Sequence, residues 1–195
     1  MTTNKLNEIN EDKTFKSQNF SNQSLNNYSF NNCTFERCNF IESSWLNTKF
    51  NSCIFINCNL SLINTDNTTL QDINFYESKI VGIEFFKCNK IFFSINFKES
   101  ILLNCNFSDL NMKKANFNKS ILKECIFLNT QLTEANFEKT DLQGSTFNKC
   151  KLEKADFRNA KNYNINPKEN VIKKAKFSYP EVIRLLNFFE IIIEK

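Results

Sequence analysis

The stretch that decides the fold spans residues 115–160 and reads ANFNKSILKECIFLNTQLTEANFEKTDLQGSTFNKCKLEKADFRNA. Every fifth residue is large and apolar, with Phe and Leu alternating at Phe117, Leu122, Phe127, Leu132, Phe137, Leu142, Phe147, Leu152 and Phe157. A small residue (Ala, Ser, Thr or Cys) stands two positions before each of them. A period of five fits neither an α-helix nor a plain strand. The pattern therefore predicts a short extended side followed by a turn, repeated along the chain.

The same series extends toward the N-terminus and gives the number of sides. Fourteen of the fifteen positions taken every fifth residue from Phe15 to Phe85 are large and apolar. Because Phe and Leu alternate in the second series, a coil of twenty residues stacks Phe on Phe and Leu on Leu, with the two Phe sides opposed. We therefore predict an all-β, four-sided solenoid of about eight coils, spaced by about 4.8 Å as neighbouring strands are.

Three segments follow from this pattern. Residues 1–12 form a polar N-terminal lead, residues 13–177 form the solenoid, and residues 178–195 form a C-terminal cap and tail. The solenoid consists of the blocks 13–87 and 95–162. Twelve residues instead of ten separate Phe85 from Phe97, so the register breaks near residues 86–96.

The cap is predicted to be a short C-terminal α-helix. Ser178 and Glu181 have the spacing of a capping box, and Pro180 suits a first helical turn. An apolar helical pattern follows at Val182, Ile183, Leu185, Leu186 and Phe189. A solenoid needs its open end covered, but this helix is more apolar than a cap requires. We therefore expect these residues to form the interface of a homodimer, with a monomeric cap as the alternative, and residues 191–193 to form a short strand.

Composition excludes several classes of function. The 195 residues include 22 Phe but only two Gly, two Pro and no His. A Gly-rich phosphate loop, a His-dependent nucleophile and an imidazole metal site are therefore ruled out. The acidic residues are scattered among lysines, so we predict a protein that is not an enzyme and has no catalytic residues, cofactor or metal. No apolar run is long enough to cross a membrane, and Met1–Asn10 is polar, so a cytoplasmic location without membrane contact is expected.

All eight cysteines fall on the small-residue positions. A metal site or disulfides are the functional interpretations. The simpler prediction is that each thiol is a small buried group that fills an inward slot and stays reduced.

The register break offers a candidate contact surface. Phe86, Phe92 and Phe93 cannot all point inward, and an exposed aromatic beside Lys87 would suit a partner protein. A corner insertion without function is the alternative.

The triplets Ala115-Asn116-Phe117, Ala135-Asn136-Phe137 and Ala155-Asp156-Phe157 resemble the pentapeptide repeat family. That resemblance implies a right-handed quadrilateral β-helix. Within the family, the runs at 155–160 and 173–178, with Tyr163 and Pro180, are similar to Qnr-type quinolone resistance proteins. This implies a homodimer that binds DNA gyrase or topoisomerase IV and protects it from fluoroquinolones, hence a role in antibiotic resistance.

The charge departs from that group, whose proposed mimicry of DNA needs a dense negative surface. The net charge is +4, and residues 98–162 carry 11 basic and 8 acidic groups. Two alternatives therefore stay open. One is an interaction solenoid with a different protein partner. The other, direct nucleic-acid binding through the basic C-terminal half, is disfavoured because acids are interspersed with the lysines.

Overall fold

The computed structural model describes residues 8–192 and contains a four-sided β-solenoid. Successive coils pair in parallel with an offset of twenty residues, as in Phe15 with Phe35 and Phe35 with Phe55. Across the register break the offset becomes 22, which pairs Phe75 with Phe97. The predicted all-β solenoid with four sides is confirmed.

We name the four sides faces A to D in the order in which the chain visits them. Face A contains β1 (Ile9–Glu11), β3 (Ser29–Asn31), β5 (Lys49–Asn51) and β8 (Thr69–Gln71). Face B contains β2 (Thr14–Lys16), β4 (Thr34–Glu36), β6 (Ile54–Ile56), β9 (Ile73–Tyr76), β11 (Ile95–Lys98), β16 (Asp156–Phe157) and β18 (Lys176–Phe177). Face C contains β7 (Asn59–Ser61), β10 (Lys79–Val81), β12 (Ile101–Leu103) and β13 (Ile121–Lys123). Face D contains β14 (Ile126–Leu128), β15 (Thr146–Asn148) and β17 (Asn164–Ile165).

The faces extend beyond the named strands through single bridges. Beyond β8, face A continues through bridges at Asn111, Gln131, Lys151 and Val171. Because β1 already pairs with β3, the solenoid starts at Ile9, inside the segment expected to be a polar lead. Residues 1–7 of that segment lie outside the described part of the chain.

The core consists of aromatic columns. Nine rings on face B stack at centroid distances of 4.8–5.4 Å, namely Phe15, Phe35, Phe55, Phe75, Phe97, Phe117, Phe137, Phe157 and Phe177. Face D carries a second column from Phe85 to Phe147, and the two columns meet edge to face, as at Phe97 and Phe107 (6.0 Å, 73°). This is the predicted stacking of Phe on Phe with opposed columns, in a geometry that aromatic pairs favour.

In the regular coils the corner is made by the residue two positions after the buried centre. Among residues 8–192, thirty non-glycine residues have φ between 47° and 65°. The left-handed conformation costs an L-residue about 1–2 kcal/mol. The corner N–H offsets this cost by donating to the next coil, as Lys119 N–H does to Glu138 O (3.0 Å). Only ten of the thirty are Asn, so stacking between coils, rather than local preference, holds the corners.

The register break is local. A 3-10 helix over Phe85–Lys87 follows the face D side, and Cys88 stays buried. The two extra residues form a bulge before Ile95 pairs with Ile73. The regular solenoid therefore resumes within one corner.

A second irregularity precedes the C-terminus. The offset from Phe147 to Ile165 is eighteen residues, and it returns to twenty at Phe157 with Phe177. Between Ile165 and Phe177, Asn170 is buried at a position that a small residue occupies in the earlier coils. Its side chain accepts from Cys150 N–H (2.9 Å) and donates to Phe147 O (3.0 Å), so an amide replaces the usual small group.

The C-terminal helix, Glu181–Phe188, is a 3-10 helix and not the expected α-helix. Its hydrogen bonds include Ile183 N–H to Pro180 O and Phe189 N–H to Leu186 O, both of which span three residues. The segment is short and tied to the last coil at its start, a setting in which 3-10 geometry is common. Ile191 and Ile192 are not in a strand, and residue 193 lies outside the described part.

Candidate interaction surfaces

The interior of the solenoid is filled with side chains. A groove of about 530 Å³ lies on the outside between faces A and B, and only polar and charged residues line it. Within residues 8–192, no group of three His, Cys, Asp or Glu side chains could hold a metal ion. The same range holds no helix of the length and apolarity that crossing a bilayer would need. Chemistry at this protein therefore has to take place on its outer faces.

The cysteines occupy the predicted inward slots. All eight are buried and none is in a disulfide. Most of their thiols donate to carbonyls, as Cys53 does to Phe30 O and Asn51 O (3.3 and 3.4 Å). Burial raises the pKa of Cys88 to about 12 and raises that of Cys105 well above its usual range. Hydrogen bonding with Cys53 instead lowers the pKa of Cys33 to about 7, so the eight thiols do not shift in one direction. Burial makes Cys88 and Cys105 packing groups.

The four residues proposed as a contact surface at the register break differ in their exposure to solvent. Phe92 is 73% exposed at a left-handed corner, and Ile91 beside it is 65% exposed. Phe93 is buried in the core, so its proposed role in a contact is wrong: its ring fills the inward slot that the bulge leaves. Phe86 is half-buried, and Lys87 forms ion pairs with Glu84 and Asp66.

The predicted capping box is wrong, because both of its side chains bond to the preceding coil instead. Neither side chain caps the helix. Ser178 Oγ accepts from Asn159 N–H (3.2 Å), and Glu181 Oε1 accepts from Asn162 N–H (2.8 Å). In earlier coils these corner N–H groups donate to a backbone carbonyl nineteen residues later. At the last coil, side-chain oxygens of the residues nineteen positions later replace those carbonyls and satisfy the open edge.

The 3-10 geometry sorts the predicted interface residues into two stripes, because side chains three apart eclipse in such a helix. Leu185 is buried, and Val182 and Phe188 are half-buried, so this stripe packs on the solenoid. Leu185 and Val182 therefore cover the end of the core and are not free for a dimer. Ile183, Leu186 and Phe189 form the outer stripe, each 37–43% exposed.

Charge is distributed unevenly among the faces. No face carries more than five acidic residues, so a dense negative surface is absent from the described coils. Between residues 111 and 174, the outward positions of face A carry six lysines and two glutamates, namely Lys113, Lys114, Glu134, Lys151, Glu153, Lys154, Lys173 and Lys174. The sequence analysis missed this concentration, although sorting the lysines by position modulo twenty would have indicated it.

A scan against protein-family models matches pentapeptide repeats (8 copies) at residues 29–64 and a pentapeptide repeat region at residues 95–177. The two matches together cover more than half of the chain. No curated protein matches the sequence significantly.

Two solved structures are similar in fold. A trypsin-treated variant of QnrB1, a plasmid-mediated fluoroquinolone resistance protein, aligns with a TM-score of 0.67 at 15% identity and covers 96% of this chain and 97% of its own. HetL, a pentapeptide repeat protein involved in heterocyst differentiation regulation in the cyanobacterium Nostoc, aligns with a TM-score of 0.51 at 14% identity over 88% of this chain and 87% of its own. At these identities the likeness concerns the fold. Together with the repeat, the four-sided coil and the family-model matches, it leads to one conclusion: this chain belongs to the pentapeptide repeat family.

Proposed function

We propose that this protein is a non-catalytic rod that acts in the cytoplasm by presenting its outer faces to a protein partner. The observation that carries the proposal is the filled interior: stacked Phe and Leu close the core, and the groove between faces A and B is lined by polar and charged residues. Function on such a rod depends on which side chains each face exposes.

The partner that we propose is a type II topoisomerase, DNA gyrase or topoisomerase IV, which the rod would protect from fluoroquinolones. The support is the similarity in fold to QnrB1 over nearly the whole length of both chains. Because acidic residues are spread over all four faces, the contact would not rest on mimicry of the charge of DNA. The exposed pair Ile91 and Phe92 at the register break is the apolar contact that we propose for it.

A gyrase supercoiling assay with and without ciprofloxacin tests this proposal. We expect the protein to restore supercoiling in the presence of the drug, and Phe92→Ser to weaken that rescue. Ile121→Ser, which removes an exposed apolar residue from face C, serves as the control and should leave the rescue unchanged. A wild-type protein that neither relieves the drug nor alters supercoiling would favour the second candidate.

The second candidate is an interaction solenoid with a different protein partner. The observation that favours it is the mixed and, in the second half, basic surface, together with the similarity in fold to HetL, whose role is in differentiation. Retention of specific proteins on the immobilised rod, with no effect on gyrase, would support this candidate.

We also propose that the rod is a homodimer joined through the outer stripe Ile183, Leu186 and Phe189 of the C-terminal helix. Lys168 Nζ lies 5.0 Å from the Phe189 ring, which orients that ring on the surface. Sedimentation should give the mass of a dimer for the wild type and of a monomer for Leu186→Glu. Ile121→Glu on face C is the matched control and should stay dimeric.

A further inference from the structure

The C-terminal part of face A carries a row of exposed lysines, which we call the face A strip: Lys113, Lys114, Lys151, Lys154, Lys173 and Lys174. All six are exposed. On the opposite face C, the same coils carry Lys123 and Lys161 against Glu124 and Asp141, so their charges cancel. The positive surplus of the second half is therefore concentrated on one side of the rod.

The acids near the strip are already engaged. Glu134 lies between two lysines of neighbouring coils, with Oε2 3.9 Å from Lys114 Nζ and Oε1 3.3 Å from Lys154 Nζ. Glu153 accepts a hydrogen bond from Thr133 (3.3 Å). Within the described residues, Lys113, Lys151, Lys173 and Lys174 form no ion pair. Four ammonium groups on one flat face therefore lack a counter-charge.

The same face reverses its charge along the rod. In the first four coils its outward positions carry one lysine, Lys49, against Glu11, Asp12 and Asp72. Backbone and repeat are the same in both halves, so the geometry of the fold does not require lysines on this face. The lysines of the strip are therefore a property of the solvent-exposed side chains and not of the backbone.

A groove runs beside the strip on the corner between faces A and B. It encloses about 530 Å³, and Lys154, Lys174 and Lys176 line it. Asp156, which also lines it, is bound by Arg158 through Nε and Nη2 (2.6–3.1 Å) and lies 3.7 Å from Lys176 Nζ. These cations hold the pKa of Asp156 below its usual range, so, within residues 8–192, Lys174 is the unpaired charge of the groove. The free charge along this groove is positive.

We propose that the face A strip binds the phosphate backbone of double-stranded nucleic acid without reading its sequence. Protein interfaces need an apolar centre, whereas on this strip the outward positions are almost all polar. Nucleic-acid interfaces are polar and strongly positive, and lysine binds phosphate as a point charge. Coils about 4.8 Å apart give a straight, rigid row that suits a linear polyanion. This inference does not depend on a topoisomerase partner.

The test uses fluorescence anisotropy of the full-length protein with a 25-base-pair DNA duplex of arbitrary sequence at several salt concentrations. The variant Lys151→Gln/Lys173→Gln/Lys174→Gln removes three unpaired charges of the strip. The matched control Lys123→Gln/Lys139→Gln/Lys161→Gln removes three exposed lysines of the same coils from faces B and C. Far-ultraviolet circular dichroism shows whether both variants keep the wild-type fold.

We expect wild-type affinity to fall with salt, and the strip variant to bind at least about tenfold more weakly at 50 mM salt. Its slope against log salt should be shallower by about 2–3, since each phosphate contact contributes about 0.9. The control should change affinity less than about threefold. Equal losses in both variants, no binding by the wild type at 50 mM salt, or polyglutamate competing as well as DNA would each overturn the proposal. A change in these values without any change in the gyrase assay would separate the two functions.

Discussion

The coils before and after the register break share one backbone but stabilise its corners differently. In the first block an amide row links successive corners of face D, with Asn47 Nδ2 donating to Asn27 Oδ1 (3.3 Å) and Asn67 Nδ2 to Asn47 Oδ1 (2.7 Å). In the second block a row of corner residues on a different side, face A, alternates in charge from Lys114 to Lys154 through Glu134. Because parallel stacking brings residues twenty apart into contact, a corner residue is chosen for its neighbour in the next coil. Rows of amides and rows of alternating charges can therefore both stabilise left-handed corners.

The core differs between the blocks as well. In the first block faces A, B and C all present Phe, and Phe55 has five aromatic neighbours within 6 Å. In the second block Phe is confined to faces B and D, and Phe117 has four such neighbours. The remaining inward sides are filled by Leu and Met.

The largest expected effect comes from truncating these rings. Phe55→Ala and Phe117→Ala should each lower the free energy of unfolding by about 3–5 kcal/mol, because a closed core leaves a cavity. The loss at Phe55 should be the larger by about 0.5–1.5 kcal/mol, the value of an additional aromatic pair. Urea denaturation measures both. Equal losses would show that the aromatic-rich first block gains nothing from its additional ring contacts.

Alkaline pH should destabilise both blocks. Burial raises the pKa of Cys88, just after the first block, and of Tyr163, just after the second, to about 12. The folded protein therefore keeps these protons after the unfolded chain has lost them. Stability is fully present below the ordinary pKa of each group and falls between that value and 12, by about 1.4 kcal/mol per pH unit for each group. Urea midpoints should decline from about pH 9 upward, and Cys88→Ala should weaken that decline, whereas an unchanged pH profile would contradict the buried thiol.

Serine separates two environments of the inward small-residue positions, one in each block. Ser100 Oγ donates to Lys98 O and Phe75 O (3.1 and 3.3 Å) and accepts from Ser78 N–H (3.1 Å), so Ser100→Ala should cost about 1–2 kcal/mol. The backbone N–H of Ser43 donates to Phe40 O, whereas its buried Oγ has no partner among residues 8–192. Ser43→Ala should therefore be neutral or stabilising in the same urea measurement. A loss at Ser43 as large as that at Ser100 would refute the distinction.

The smallest effect concerns the corner rows themselves. Lys119 Nζ lies 2.9 Å from Glu99 Oε1 in the second block, an exposed pair whose attraction is weakened by solvent. A double-mutant cycle on this pair should give a coupling that disappears in 1 M salt. The equivalent cycle on Asn47 and Asn67 should give a coupling that salt does not change. If both couplings respond to salt alike, the two rows do not differ in physical origin.

The sequence could predict the solenoid because its period is itself a structural signal. The alternation of Phe and Leu indicated which columns stack, and both the ring stacks and the buried thiols agree with it. The spacing of the apolar residues also indicated the register break, where twelve residues separate Phe85 from Phe97, and the return of the repeat at Phe177. The helix was harder, because Ser178, Pro180 and Glu181 match a capping box whose oxygens are in fact used by Asn159 and Asn162 of the preceding coil.

The five-residue period determined the inward residues and the position of the break, and the alternation of Phe and Leu determined the four-sided coil, since each of these follows from which side chains must leave water. Tertiary structure decided what long-range contacts control. It turned the cap into a 3-10 helix with Leu185 inside and Leu186 outside, and it buried Phe93 while exposing Phe92. These outcomes depend on which groups become neighbours after twenty residues of winding, and a local pattern does not contain that information.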